Sequence, residues 1–331
     1  VKAVLFFLAR RLLLMIPTLL VVTIVSFVII EAPPGDFMDT YVENLIRQQQ
    51  AVDPSEIASL RARYGLDDPW AMRYVKWLRR VLQGDLGRSL QWNQPVAKLI
   101  LERLPWTMAV SLFSFVIVYV VSIPIGLYSA THQYSLPDYL FTLVGFIGLG
   151  VPNFLLALVC LWLYFRATGS VVVGLFSDRY QMAPWSLGRF LDLLKHIWLP
   201  ALIVGLSGTA GLIRTVRANL LDELRKPYVI MARAKGLPEA RLIIKYPFRI
   251  AMNPVASTIG WMLPSLVNGE LLTSMVLGLP TVAPLFVGAL MSQDMFLAGS
   301  VVLILSALTL VGTLVSDLVL AWIDPRIKQA V

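Results

Sequence analysis

YVIMARAKGLPEARLIIKYPFR, residues Tyr228 to Arg249, is a basic segment set between two long apolar stretches. A chain that buries itself in lipid keeps few charges there, so a run this basic lies in water at one membrane face. Its pattern predicts two short helices broken at Gly236-Leu237-Pro238. Glycine ends the first helix, proline opens the second, and the residue before a proline is pushed out of the helical region. A basic helical hairpin held between two membrane helices is suited to docking onto a soluble partner.

The apolar stretches on either side are typical of the whole chain. Of 331 residues, 57% are hydrophobic and 15% charged, and the mean hydropathy is +0.73, against roughly 25% charged residues in a soluble domain. Apolar runs of about 18 residues or more recur, each long enough for a bilayer core of roughly 30 Å. The chain is therefore expected to be an all-α polytopic membrane protein. Its net charge of +8 falls beside the apolar runs, which assigns it to topology and lipid headgroups rather than to nucleic acid. The single cysteine, Cys160, lies in an apolar run, and His132 and His196 flank different ones. Neither an intrachain disulfide nor a metal site is expected.

Six spans are expected. The first covers about residues 8 to 31. Lys2, Arg10 and Arg11 precede an apolar run from Leu12 to Ile30 that is longer than a signal sequence and lacks a small-x-small cleavage site, so the span is read as retained. Pro33, Pro34 and Gly35 stop it. Residues 32–100 form a polar, helical insertion in which Trp70, Tyr74, Trp77, Leu78 and Leu82 share a helix face expected to lie on the membrane surface. Residues 101–331 form a five-helix core with a loop at 214–250. Span two covers about 104 to 131, and span three, about 139 to 167, is a helix kinked at GFIGLGVPNF. The stretch LGRFLDLLKHIW then returns along the surface before span four, about 197 to 218, whose GLSGTAG run marks it as central. Span five is about 251 to 276 and span six about 295 to 322, with a loop between them that dips and returns. The 214–249 loop holds nine Lys or Arg residues, and Arg326 and Lys328 follow span six, so both termini and the hairpin are expected in the cytoplasm.

No catalytic chemistry is legible. There is no GxxxxGK[ST] phosphate loop, no HExxH, no GxSxG with triad partners and no CxxC. Glu270 is the main ionisable residue within a span, where a proton-coupled carrier would show paired charges. Energy for any transport must come from elsewhere. A self-contained secondary transporter or channel and a membrane-embedded enzyme are the competing readings.

The segment YVIMARAKGLPEARLIIKYPFRIAMNPV resembles the EAA loop of ATP-binding-cassette importer permeases of the peptide/nickel (dipeptide and oligopeptide) family. The resemblance runs through nearly the whole chain in order: RRLLLMIPTLLVV, YGLDDPW, GDLGRSL, PVAKLILERLPWT, IGLYSA, GVPNFLLAL, WLPALIVGLSGTAGLIRTVRANLL and a terminal DPRIK. It implies a type I importer fold with a periplasmic helical insertion between spans one and two. It also implies a bacterial inner-membrane location. The implied partners are a second homologous permease, two cytoplasmic ATPases and a periplasmic binding protein received by the insertion. No cofactor is implied in this chain, since ATP and Mg would be bound by the ATPases. The implied ATPase-coupling residues are Tyr228, Met231, Ala232, Arg233, Ala234, Lys235, Gly236 and Leu237. Two positions depart from the pattern. Ile230, Met231 and Ala232 stand where the general motif has Glu-Ala-Ala, and Ser274 stands where a span-five glutamate is common. Peptides are the expected cargo, with oligosaccharides, nickel chelates or another small solute as the alternative. Candidate path residues are Asn153, Ser207, Thr209, Asn253, Ser257, Asn268, Glu270 and Ser274; hydrogen bonding between helices is the competing role for each Ser and Thr.

Overall fold

The computed structural model describes residues 2–32, 37–47, 54–170, 173–269 and 271–323. The Pro33-Pro34-Gly35 stop, Glu270, Arg326 and Lys328 lie outside these residues, as does the side chain of Asn268. Among the described residues every regular element is a helix. They are α1 (Lys2–Glu31), α2 (Phe37–Arg47), α3 (Pro54–Tyr64), α4 (Trp70–Leu82), α5 (Val96–Thr131), α6 (Leu136–Gly150), α7 (Asn153–Thr168), α8 (Asp178–Gln181), α9 (Leu187–Leu224), α10 (Pro227–Ala234), α11 (Glu239–Lys245), α12 (Pro247–Gly269), α13 (Leu271–Val276), α14 (Val282–Met291) and α15 (Met295–Ile323). Helices α1, α5, α9 and α15 contain stretches long and apolar enough to cross a membrane. The α6–α7 pair makes a fifth if it counts as one span.

The chain divides into two compact units, Val1–Thr107 with Thr281–Leu310, and Met108–Pro280 with Val311–Val331. The first is built on large apolar side chains. Phe27 of α1 meets Tyr74 and Trp77 of α4 at ring-centroid distances of 5.4 and 6.0 Å. Thr23 and Tyr74 share a hydroxyl hydrogen bond of 3.0 Å, and Arg73 pairs with Glu31. The aromatic face of α4 thus differs from the membrane-surface expectation. Tyr74 and Trp77 are buried against protein, while Trp70 and Leu82 are exposed. The periodicity identified the face; the partner that covers it, Phe27, is 50 residues away in sequence and left no local sign.

The turn 83–95 closes this unit. Gly87, at φ +83°, reverses the chain, and Val96 N–H donates to the Gly87 carbonyl at 3.0 Å. Asp294, immediately before α15, accepts hydrogen bonds from Ser89 Oγ at 2.5 Å and Gln91 N at 3.1 Å, and caps α15 by accepting from Leu297 N at 3.1 Å. Its burial pushes the carboxyl above the ordinary aspartate value, and these hydrogen bonds pull the other way.

The second unit is organised around α9. Ile197, Ala201, Val204, Gly205, Ala210, Leu212, Val216 and Leu220 are all buried along it, and it packs against α6, α7 and α12. Small residues permit the close approach. A Cβ on Gly126 of α5 would stand 2.6 Å from Val216 Cβ and 3.1 Å from the Ile213 carbonyl oxygen; one on Gly148 of α6 would stand 2.8 Å from Leu206 Cγ. Ser122 Oγ donates to the Thr209 carbonyl at 3.1 Å.

Two expectations about this unit are corrected. LGRFLDLLKHIW is not a separate surface helix: it is the first part of α9, which runs through Pro200 without a break. The proline removes one backbone donor, and neighbouring helices tolerate that inside a packed helical unit. Span three, expected as one kinked helix, is two helices, α6 and α7, meeting at 110°. Val151 takes an extended conformation, φ −101° and ψ 126°, as residues before proline do, and Pro152 then opens α7.

Candidate functional site

The basic hairpin forms as the sequence predicts. Lys226 is extended and Pro227 opens α10, where its missing N–H costs nothing. Lys235 follows as the C-cap, Gly236 adopts φ +78°, and Pro238 precedes α11. A left-handed backbone suits glycine because other residues meet Cβ strain there. Gly236 N–H donates to the Arg233 carbonyl at 3.0 Å and Leu242 N–H to the Pro238 carbonyl at 2.9 Å, which closes the turn on both sides.

The hairpin has two faces. Val229, Leu242 and Ile243 are buried, and Leu127, Leu224, Tyr228, Ala232 and Leu237 pack against them. This seats the hairpin on the ends of α5 and α9. Tyr228 reinforces the seat by donating to Glu223 Oε2 at 2.6 Å. Loss of water around the hydroxyl, together with the Glu223 carboxylate, pushes Tyr228 up to about 12. The other face is open. Ile230 is 56% exposed and Met231 61%, and Arg233, Ala234, Lys235 and Gly236 are exposed beside them. Two apolar side chains of α10 thus stand in the open beside Lys235 and the Arg233 guanidinium.

Arg233 holds a position the sequence did not show. Its Nε donates to Glu239 Oε2 at 3.0 Å, and its Nη2 meets the other carboxylate oxygen. This fork ties α10 to α11 across the glycine turn. The guanidinium hydrogen bond holds the Glu239 carboxyl below the ordinary value, and Glu239 raises Arg233 in turn. Arg233 is thus first a brace of the hairpin, whereas Lys235 has no side-chain partner among the described residues. A cavity of about 630 Å³ lies behind the brace, lined in part by Thr131, His132, Arg225, Arg233 and Glu239.

The candidate path residues divide. Thr209 is buried with its hydroxyl bonded back to the Gly205 carbonyl at 3.0 Å, a bond within its own helix. Ser257 bonds in the same way to Asn253 at 3.2 Å, and both are exposed. Ser274 is fully buried, and its hydroxyl has no partner among the described residues. Asn153 opens α7 just after the 110° bend. Helices α7, α9 and α13, which carry Asn153, Ser207 and Ser274, contact one another. Asn268 and Glu270 cannot be placed with them, for the reason given above.

Sequence reasoning missed two buried carboxylates. One is Asp294. The other is Asp138, whose Oδ2 accepts from Arg217 Nη2 of α9 at 3.0 Å and from Tyr134 N at 3.0 Å. Each left half a signal. Ser135-Leu136-Pro137-Asp138 has the spacing of a helix capping box, and Asp294 stands directly before an apolar run.

Residues 122–329 match the family described as "Binding-protein-dependent transport system inner membrane component". Residues 4–112 match "Binding-prot-dependent transport system membrane comp, N-term". The chain is 36% identical over 323 residues to the oligopeptide transport system permease protein AppB of Bacillus subtilis, covering 97% of this chain and 99% of that one. It is 32% identical over 359 residues to the inner membrane ABC transporter permease protein YejB of Escherichia coli O157:H7, covering 97% and 98%. It is 30% identical over 340 residues to the dipeptide transport system permease protein DppB of Escherichia coli K12, covering 98% of each. The apolar helices, the braced basic hairpin and these full-length likenesses agree: the chain belongs to the binding-protein-dependent transport system inner membrane component family.

Proposed function

We propose that this chain is the peptide-translocating permease subunit of an ATP-driven importer, non-catalytic itself and driven through the α10–α11 hairpin. It would cross the membrane six times with both termini in the cytoplasm, the 32–100 insertion outside, and a second homologous permease completing the path. Two ATPase subunits would bind ATP and Mg, and a binding protein would deliver the peptide. The names of the relatives, oligopeptide and dipeptide permeases, support peptide cargo.

The observation that carries this reading is the open face of the hairpin. Ile230 and Met231 are exposed on α10, which is held to α11 by the Gly236 turn and the Arg233–Glu239 fork. An apolar patch held rigid at the end of a buried helix transmits force, since rigid-body motion of a partner moves the helix with it. Tyr228, Met231, Ala232, Arg233, Ala234, Lys235, Gly236 and Leu237 would seat on the ATPase. Asn153, Ser207, Thr209, Asn253, Ser257, Asn268, Glu270 and Ser274 remain the proposed path, with Glu270 the carboxylate that meets a peptide amine or a partner-subunit cation.

Reconstitution tests it. Vesicles containing the two permeases, the ATPases and the binding protein take up an isotope-labelled tripeptide pool only with ATP. Uptake by this chain alone, without any ATPase, would overturn the reading.

A further inference from the structure

Resting on the hairpin as the ATPase seat, we propose that the Asp138–Arg217 ion pair is the positioning contact that makes α6 move with α9. Motion received at the hairpin would thereby reach the bend before Asn153. The pair sits where α6 starts and α9 nears its hairpin end. Asp138 is 4% exposed at its side chain. Arg217 lies seven residues before the end of α9 at Leu224, or about 10 Å of helix.

The packing explains why a charge is needed there. α6 runs antiparallel along α9, so that Asp138 meets Arg217, Gly145 faces Ala210 and Gly148 faces Leu206. Below the ion pair the contacts are apolar, with Ala210 over Gly145 and Leu206 over Gly148, and apolar attraction is non-directional. The ion pair fixes the register at one point, and Asp138 is itself fixed to the chain reversal by the Tyr134 amide. Fixing register is the best-attested use of a buried ionic group, whose contribution to stability is often small.

The pair also has room for a second arrangement. Asp138 Oδ1 and Arg217 Nε are both buried and without a hydrogen-bond partner among the described residues. The observed contact uses one oxygen and one nitrogen. A small rotation of α9 against α6 would convert it to the two-bond fork that guanidinium and carboxylate favour. The contact can then follow a displacement without breaking, while an apolar contact would slip.

The test uses the complete transporter, with both permeases, the ATPases and the binding protein in vesicles. The readout is tripeptide taken up per ATP hydrolysed, alongside the melting temperature of the complex. The double variant Asp138→Asn/Arg217→Met nearly keeps the size of both side chains, removes the charges and leaves an amide oxygen to accept from the Tyr134 amide. The expected result is a near-normal melting temperature with uptake per ATP reduced about tenfold, within the range seen for residues on a coupling route. Normal uptake per ATP would overturn the proposal and reduce the pair to packing. If the double variant does not assemble, Arg217→Gln decides: at a side chain 31% exposed it removes the charge and the reach to Asp138, so coupling falls if the proposal holds and is unchanged if it does not. The variant Met231→Glu/Lys235→Glu, run in parallel, leaves the Arg233–Glu239 fork intact and separates the two readings. If it stays coupled, the hairpin reading falls and this inference with it; if it uncouples while the pair variants do not, only this inference falls.

Discussion

The two compact units are held together by different physics. The first is packed with large side chains: Phe27, Tyr74 and Trp77 interlock, and the buried carboxylate of Asp294 ties a distant turn to the start of α15. The second is packed by absence, with Gly126, Gly148 and Gly205 letting helices touch at distances a methyl group would block. Large interlocked side chains resist relative motion because every shift opens a void. At the glycines a side chain of the facing helix, Val216, Leu206 or Val118, fills the space instead. The difference predicts a rigid scaffold in the first unit and a lever in the second, the unit that carries the basic hairpin.

The sharpest break is expected in the scaffold. Trp77 is 1% exposed, and Trp77→Ala should cost about 4 kcal/mol, the usual range for emptying an aromatic site, read as a lower melting temperature and faster proteolysis of residues 54–107. Asp294→Ala should follow at about 3 kcal/mol, since it removes a helix cap and leaves the Ser89 hydroxyl and Gln91 amide unpaired. If Asp294→Ala melts like the parent chain, the turn is held by something else.

In the lever the sign of the change reverses, because adding atoms is what destabilises. Gly126→Ala should cost about 2 kcal/mol by overpacking, while the same exchange at Gly84, where nothing lies within 4 Å, meets only its φ of +81°. A thermal-shift series on the complex distinguishes the two. The smallest effect is at Tyr228, in the seat of the hairpin. Tyr228 is raised to about 12 from 10.0, so its hydrogen bond to Glu223 contributes fully below pH 10 and is lost as pH rises through about 12. Tyr228→Phe should remove one tyrosine from the most alkaline part of the absorbance titration; a titration unchanged there would mean that the hydroxyl is not held.

What the sequence showed and what it hid follow the range of each interaction. Gly236-Leu237-Pro238 specifies its turn locally, so the break and the start of the hairpin were legible, while its second helix ends at Lys245, four residues before Arg249, because Pro247 already opens α12. The central place of α9 was legible from its small residues. The continuity of α9 through Pro200 was not, because the packing that tolerates the proline comes from other helices. The Val151-Pro152 break was legible as a weak point, while the 110° angle depends on what α7 packs against. The Asp138–Arg217 and Ser89–Asp294 contacts join residues 79 and 205 positions apart. Only the capping half of each could be seen locally.

The central claim is that the exposed face of the hairpin couples this chain to an ATPase. It is tested most directly by Met231→Glu/Lys235→Glu in the complete transporter, which alters the exposed face and leaves the Arg233–Glu239 fork intact, measured as peptide uptake and ATP hydrolysis together in one vesicle preparation. The account predicts that the complex inserts and hydrolyses ATP while uptake per ATP falls toward background. Uptake per ATP equal to that of the parent chain would contradict it.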